Sequence, residues 1–258
     1  MNQNNPSGFA PPEPPVQPSG VRVATPNLVP YATYTLIGVT VLAYLLQLLS
    51  QKALGTDILQ AFGIKYGPLI RTGQVWRLVT PLFLHGSLLH IGFNMYALFS
   101  FGRGMESRFG RLRFLSLYFL SGFAGNVLSF VLTPEASLGA STAVFGLLAA
   151  EGVFLFQNRE LLRGQASRAI SNLVTMAGIN LLIGFTVPGV DNWGHIGGML
   201  GGFLFAWFGA PYWKVEGLFP NLRVVDERQG GGLLAGSMAV LLMFIPVAAM
   251  GWIFPIGK

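Results

Sequence analysis

Between Arg77 and Arg103 the sequence reads Leu78-Val-Thr-Pro-Leu-Phe-Leu-His85-Gly-Ser-Leu-Leu-His90-Ile-Gly-Phe-Asn94-Met-Tyr-Ala-Leu-Phe-Ser-Phe-Gly102, with no formal charge anywhere in it. About 20 apolar residues suffice to cross a bilayer as a helix, so this window predicts a membrane span. Windows 31–50, 114–134, 169–190, 192–213 and 229–257 are alike, and 136–158 holds one charge, Glu151. The expected fold is therefore all-α, a polytopic membrane bundle of seven helices. Composition agrees. Hydrophobic residues make up 52% of the 258 and charged residues 10%, against about 25% charged in a soluble domain. Mean hydropathy is +0.56. A surface that poor in charge is not a water-facing one.

The remaining stretches are organised around these windows. Residues 1–30 hold eight of the sixteen prolines among Asn, Gln, Ser and Gly, and read as a disordered cytoplasmic tail. They lack the basic, apolar and small-residue order of a signal peptide, so the first span is expected to act as its own signal. Residues 51–77 are too polar to cross and read as a long first loop in the interface. Residues 211–258 read as a cytoplasmic linker followed by the seventh helix. With the N-terminus inside, eleven of the sixteen Lys and Arg fall on the cytoplasmic side and five outside, the bias expected of a cytoplasmic N-terminus. A net charge of +6 is too thinly spread to suggest nucleic acid. The absence of cysteine excludes disulfides, a thiol nucleophile and thiolate metal sites.

Glycine is frequent, at 34 residues, and much of it lies inside the spans, where it lets helix backbones approach. Gly194, Gly198 and Gly202 recur every four residues on one face. Ala143, Gly146 and Ala150 on the fourth span are candidates to meet them.

All three histidines, His85, His90 and His195, fall in or at the ends of hydrophobic windows. An ionisable group in the membrane is a functional hypothesis by default, although a histidine can also simply bond between helices. With the N-terminus inside, His85 and His90 lie in the outer half of the second span, and Asn94 is one turn below His90. His195 lies near the outer start of the sixth span. From Ser141 to Gln157 is 17 residues, roughly 25 Å of helix, which places Ser141 a little below the outer surface. Ser141, His195, His90 and Asn94 can therefore share one layer. A serine hydroxyl becomes a nucleophile when a neutral imidazole takes its proton, and histidine or asparagine can donate to a developing oxyanion. A serine at a helix start is also an ordinary N-cap. Other membrane chemistries are poorly served: there is no His-Glu-x-x-His run, and Asp57, Asp191 and Asp226 fall in loops.

These residues resemble the rhomboid family of intramembrane serine proteases, over roughly residues 31–210. Trp76-Arg77 ends the first loop, His85-x4-His90-x3-Asn94 matches the second-helix motif, and Gly139-Ala140-Ser141 the Gly-x-Ser nucleophile motif. His195-x2-Gly198-x3-Gly202 matches the sixth-helix motif, Glu106-x-Arg108 the following loop, and the last span suggests a six-plus-one arrangement. One position departs: Thr142 stands where the family usually has glycine. Phe145 occupies the aromatic position four residues after the serine.

The resemblance implies a Ser141–His195 dyad, with an oxyanion hole of His90, Asn94 and the Ser141 backbone N–H. It implies supporting roles for His85, Phe145, Gly198 and Gly202, with Trp76 and Arg77 anchoring the first loop. It implies no metal and no cofactor. The expected activity is endoproteolysis of single-span or other transmembrane substrates near the outer face, in a multi-pass protein of a bacterial plasma membrane. The alternative is a catalytically impaired relative that binds membrane-protein clients without cutting them. The loop Val187-Pro188-Gly189-Val190 is expected to cap the pocket, and the fifth helix, near Phe185, to gate it from the side.

Overall fold

The computed structural model describes residues 28–162, 164–218 and 221–254. All but the last three residues of the expected tail lie outside these bounds, as do Arg163 and Lys258. Helix α1 is Tyr31–Leu54, and the first loop carries the short helices α2, Ile58–Gly63, and α3, Gly67–Arg71. Two 3-10 turns, Val75–Leu78 and Thr80–Phe83, lead to α4, Leu88–Phe109. Then come α5, Arg111–Leu132, α6, Ser141–Gln157, the single turn α7, Arg159–Leu162, α8, Gly164–Thr186, and α9, Asn192–Gly209. Strands β1, Trp213–Glu216, and β2, Arg223–Asp226, precede α10, Gly232–Ile253.

Among the described residues seven helices are thus long, one for each of the seven apolar windows. Of these, α1, α5, α8 and α10 are long and apolar enough to cross a membrane by their own composition. The other three, α4, α6 and α9, are those that carry His90 and Asn94, Ser141, and His195. Helix α6 is apolar but 17 residues long, whereas polar and charged residues on α4 and the glycines, Asn192 and His195 on α9 lower the hydropathy of those two. The molecule is an integral, multi-pass helical membrane protein.

Helix α9 is the centre of the bundle, packed between α5, α6 and α10. Its glycines make that possible. A Cβ on Gly198 would overlap the Thr142 carbonyl, and one on Gly202 would overlap the Gly146 backbone. The partners on α6 are thus Thr142 and Gly146. A second row, Gly197 and Gly201, meets Ala124 on α5, and Gly209 meets Gly232 and Gly236 on α10.

The end of the bundle away from Ser141 is tied by charge. Glu106, fully buried on α4, accepts from the backbone N–H groups of Ala32 and Thr33 at 2.9 and 2.8 Å, and from the Thr33 hydroxyl. It supplies the cap that Pro30 cannot give α1. Two residues on, Arg108 grips both oxygens of Glu151 on α6. The single charge inside window 136–158 is therefore one half of an ion pair between α4 and α6.

Several boundaries differ from the sequence expectation. The second window does not become one helix: Ser87, whose hydroxyl accepts from the His90 N–H, caps α4, so residues 78–87 stay outside it. His85 therefore precedes the helix rather than sitting within the span. The helix also runs past Arg103 to Phe109, because Glu106 and Arg108 have partners there. The expected linker after α9 contains an antiparallel ribbon, with Trp213 opposite Asp226 and Glu216 opposite Arg223. Arg113 at the start of α5 holds it through Asp226.

Candidate active site

Ser141 is the first residue of α6. Ala140, not Ser141, is the N-cap, and no side chain caps the helix. This removes the reading of Ser141 as an ordinary cap. Its Oγ lies 3.0 Å from His195 Nε2 on α9. His195 is buried, and among the described residues its Nδ1 has no partner, so in this pair hydroxyl and imidazole meet without a third group. Phe145, one turn below Ser141, stacks on the imidazole with centroids 4.2 Å apart and planes 19° from parallel.

Two turns of backbone place this pair. Asp191 caps α9 by accepting from the Gly194 N–H at 2.8 Å, and its other oxygen accepts from the Ser129 hydroxyl. That fixes the helix start four residues before His195. On the α6 side, Gly139 has φ +134°, a conformation open to glycine and strained for other residues. Its N–H donates to the Pro81 carbonyl at 3.0 Å. The Ala140 N–H donates to His85 Nε2 at 3.3 Å. His85 thus holds the turn that presents Ser141, while its own backbone is clamped by Gln47 of α1.

His90 faces the same turn from α4. A Cβ on Gly139 would come 2.7 Å from His90 Nε2 and 3.5 Å from Ser141 Oγ, so the glycine keeps that space open between them. Asn94 is buried one turn deeper, and its amide donates to the His90 carbonyl of its own helix at 2.9 Å. Among the described residues neither His90 nor Asn94 hydrogen-bonds Ser141. Ser141, His195, Phe145 and the His85-held turn are brought together; Asn94 is turned along α4.

A match to the Rhomboid domain model spans residues 72–212. The chain belongs to the rhomboid family. It is 40% identical over 177 residues to the Rhomboid protease GluP of Bacillus subtilis (strain 168), covering 69% of this chain and 34% of that protein. It is 39% identical over 151 residues to Rhomboid-like protease 1 of Toxoplasma gondii, covering 57% of this chain and 51% of that protein. It is 40% identical over 142 residues to RHOMBOID-like protein 7 of Arabidopsis thaliana, covering 55% of this chain and 45% of that protein. The chain spans about a third to a half of the length of these relatives.

In this rhomboid the first-loop motif works inside the loop. Arg77 is buried and donates to the Ala61 and Ile64 carbonyls at 2.7 and 2.9 Å, closing the end of α2. Trp76 donates to the Phe62 carbonyl and stacks on the Phe62 ring. The loop is then fastened to the turn before Ser141. Lys65 pairs its backbone with Ser137 in both directions, and its Nζ donates to the Glu135 carbonyl at 2.6 Å. Sequence reading missed Asp191, Lys65 and Gln47 as site supports. For Asp191 a signal existed: an acidic residue just before an apolar helical run reads as an N-cap. For Lys65 and Gln47, whose partners are far along the chain, none did.

Proposed function

We propose that this rhomboid is an intramembrane serine endopeptidase with Ser141 as nucleophile and His195 as general base. The observation that carries it is the 3.0 Å approach of Ser141 Oγ to His195 Nε2, backed by the Phe145 ring. With its proton on Nδ1, the neutral imidazole takes the Ser141 hydroxyl proton as Oγ attacks the scissile carbonyl carbon. The carbonyl electrons move to oxygen. The Ser141 N–H, at an uncapped helix start, and His90 donate to that oxyanion. Asn94 joins them by turning its amide off the His90 carbonyl, since catalytic bonds tighten in the reacting complex. The imidazolium returns the proton to the leaving amine, and water repeats the sequence on the acyl-enzyme.

The substrates are single-span or other transmembrane proteins, cut near the outer face of a bacterial plasma membrane. The N-terminus lies in the cytoplasm and the site opens outward. The Lys and Arg distribution supports that orientation. The names of GluP and of the Toxoplasma relative as proteases support the activity.

The test is labelling of detergent-purified protein with a fluorophosphonate probe, alongside cleavage of a model single-span substrate. Wild type labels and cuts. Ser141→Ala and His195→Ala each abolish cleavage, and the double variant is no worse than either, as for residues acting as a unit. Turnover by folded Ser141→Ala would overturn the assignment of the nucleophile, and a folded wild type that neither labels nor cuts would leave the client-binding reading.

A further inference from the structure

The corner between α4 and α5 opens into a cavity of about 910 Å³, at the end of the bundle away from Ser141. That is the size of a small-ligand site. Its walls are apolar, with Phe109, Leu112, Leu161 and Trp213 among them. Among the described residues its charged lining is Arg108, Arg111 and Arg113 against one acid, Asp226.

Two of these arginines are already engaged. Arg108 holds Glu151 with both terminal nitrogens, and Arg113 holds Asp226 and the Arg228 carbonyl. Arg111 is held less closely. Its Nε stands 3.7 Å from Glu106, beyond hydrogen-bond reach, and both Glu106 oxygens already accept from α1. Its side chain is 49% exposed, and its guanidinium lies over the Tyr31 ring at 5.0 Å. The cavity thus presents, on the rim of an apolar hole, a half-exposed guanidinium whose ion pair to Glu106 runs through Nε at 3.7 Å. No side chain caps the start of α5 beside it.

We propose that this cavity seats one anionic phospholipid, with its phosphate on Arg111 and an acyl chain along Leu112, Leu161 and Trp213. Basic pockets between transmembrane helices suit anionic headgroups, and a guanidinium fits a phosphate in two-pronged fashion. The apolar walls disfavour a soluble anion. The preceding stretch of this chain does not complement the charge either: residues 1–27 contain Glu13 and Arg22 as their sole charged side chains.

The test is native mass spectrometry of the full chain in detergent, titrated with phosphatidylglycerol or phosphatidylcholine. Phosphatidylglycerol should bind several-fold more tightly. Arg111→Gln should weaken it about five-fold, the share of one basic residue at a charged headgroup, and leave phosphatidylcholine unchanged. Leu161→Trp, which narrows the cavity, should weaken both lipids. Arg103→Gln, at the same end but outside the cavity, should change neither. Fluorophosphonate labelling of Ser141 in each variant reports folding independently of lipid. Equal affinity for the two lipids, or unchanged phosphatidylglycerol binding in Arg111→Gln, would overturn the proposal. Displacement of the lipid by inorganic phosphate alone would overturn the acyl-chain seat.

Discussion

Phe145 lies flat against His195, at stacking distance, one helical turn below the serine that the histidine meets. The ring does for the imidazole what a hydrogen bond to Nδ1 would otherwise do, since among the described residues that nitrogen has no partner. An aromatic pair of this kind contributes about 0.5–1.5 kcal/mol.

Removing that wall should therefore loosen the base without removing it. Phe145→Ala is expected to slow fluorophosphonate labelling and substrate turnover about ten-fold, while Phe145→Tyr stays near wild type. Rates of labelling at fixed probe concentration read this directly. Wild-type rates in a folded Phe145→Ala would show that α9 alone positions His195.

The buried lysine of the first loop gives a pH dependence. Burial pushes the Lys65 ammonium down to about 8, against the opposing pull of the Asp191 and Glu135 carboxylates. The unfolded chain keeps it near 10.4. Between those values the folded state binds fewer protons, so this group's contribution to stability rises with pH across about 8 to 10 and is smallest below 8. Thermal midpoints in detergent at pH 7.5, 9 and 10 should rise for wild type relative to Lys65→Met. Parallel curves for the two proteins would mean that Lys65 is not held out of water.

Which parts of this were legible in the sequence follows from the range of the interactions. Windows with no charge, or with Glu151 alone, report burial in lipid directly, so seven long helices could be read. The approach of His195 to Ser141 was reachable because the sequence has three histidines, all in or at the ends of apolar windows, whose depths can be compared with that of a serine. Interactions set by partners far along the chain were not legible. Glu106 caps a helix that starts 75 residues earlier, Arg108 finds Glu151 across α6, and Lys65 reaches Glu135. Nor did periodicity show that Ser87 starts α4 after His85, since a cap is a single residue within an otherwise unbroken apolar run.

The side gate expected near Phe185 can be tested at the contact that joins α8 to α9. Phe185 is 73% exposed, so truncating it removes little packing. What ties the end of α8 to α9 is Asn192, whose amide donates to the Leu181 carbonyl at 3.1 Å beside Gly184. One such bond contributes about 1 kcal/mol, and substrate binds only the open fraction. Asn192→Ala should raise cleavage of a transmembrane substrate several-fold, leaving labelling by the small soluble probe unchanged, and Phe185→Ala should do neither. A gain for Phe185→Ala alone would put the latch elsewhere.

Thr142 occupies the position where the family usually has glycine, and the space for it comes from α5 and α9. Its Cβ and Cγ2 lie against Gly125 and Gly194: a Cβ on Gly125 would come 2.7 Å from the Thr142 Cβ and 2.5 Å from the Gly194 carbonyl oxygen. The bulk at 142 is thus matched by its absence at 125, and it is directed toward α5 rather than the Ser141–His195 contact. Among the described residues the buried Thr142 hydroxyl has no partner. Thr142→Val keeps the shape and removes the orphaned group, so it should stabilise the protein by about 1 kcal/mol and leave labelling of Ser141 at the wild-type rate. Gly125→Ala should instead cost about 1–3 kcal/mol by overpacking. Thr142→Gly in that background should recover part of the loss, because residues in contact are not additive, and only part, because the Gly194 carbonyl still crowds the new methyl. Unfolding midpoints of the four proteins measure all of this at once. A destabilised Thr142→Val would mean that the hydroxyl has a partner in the membrane-embedded protein, and slowed labelling in that variant would make Thr142 a part of the site rather than of the packing around it.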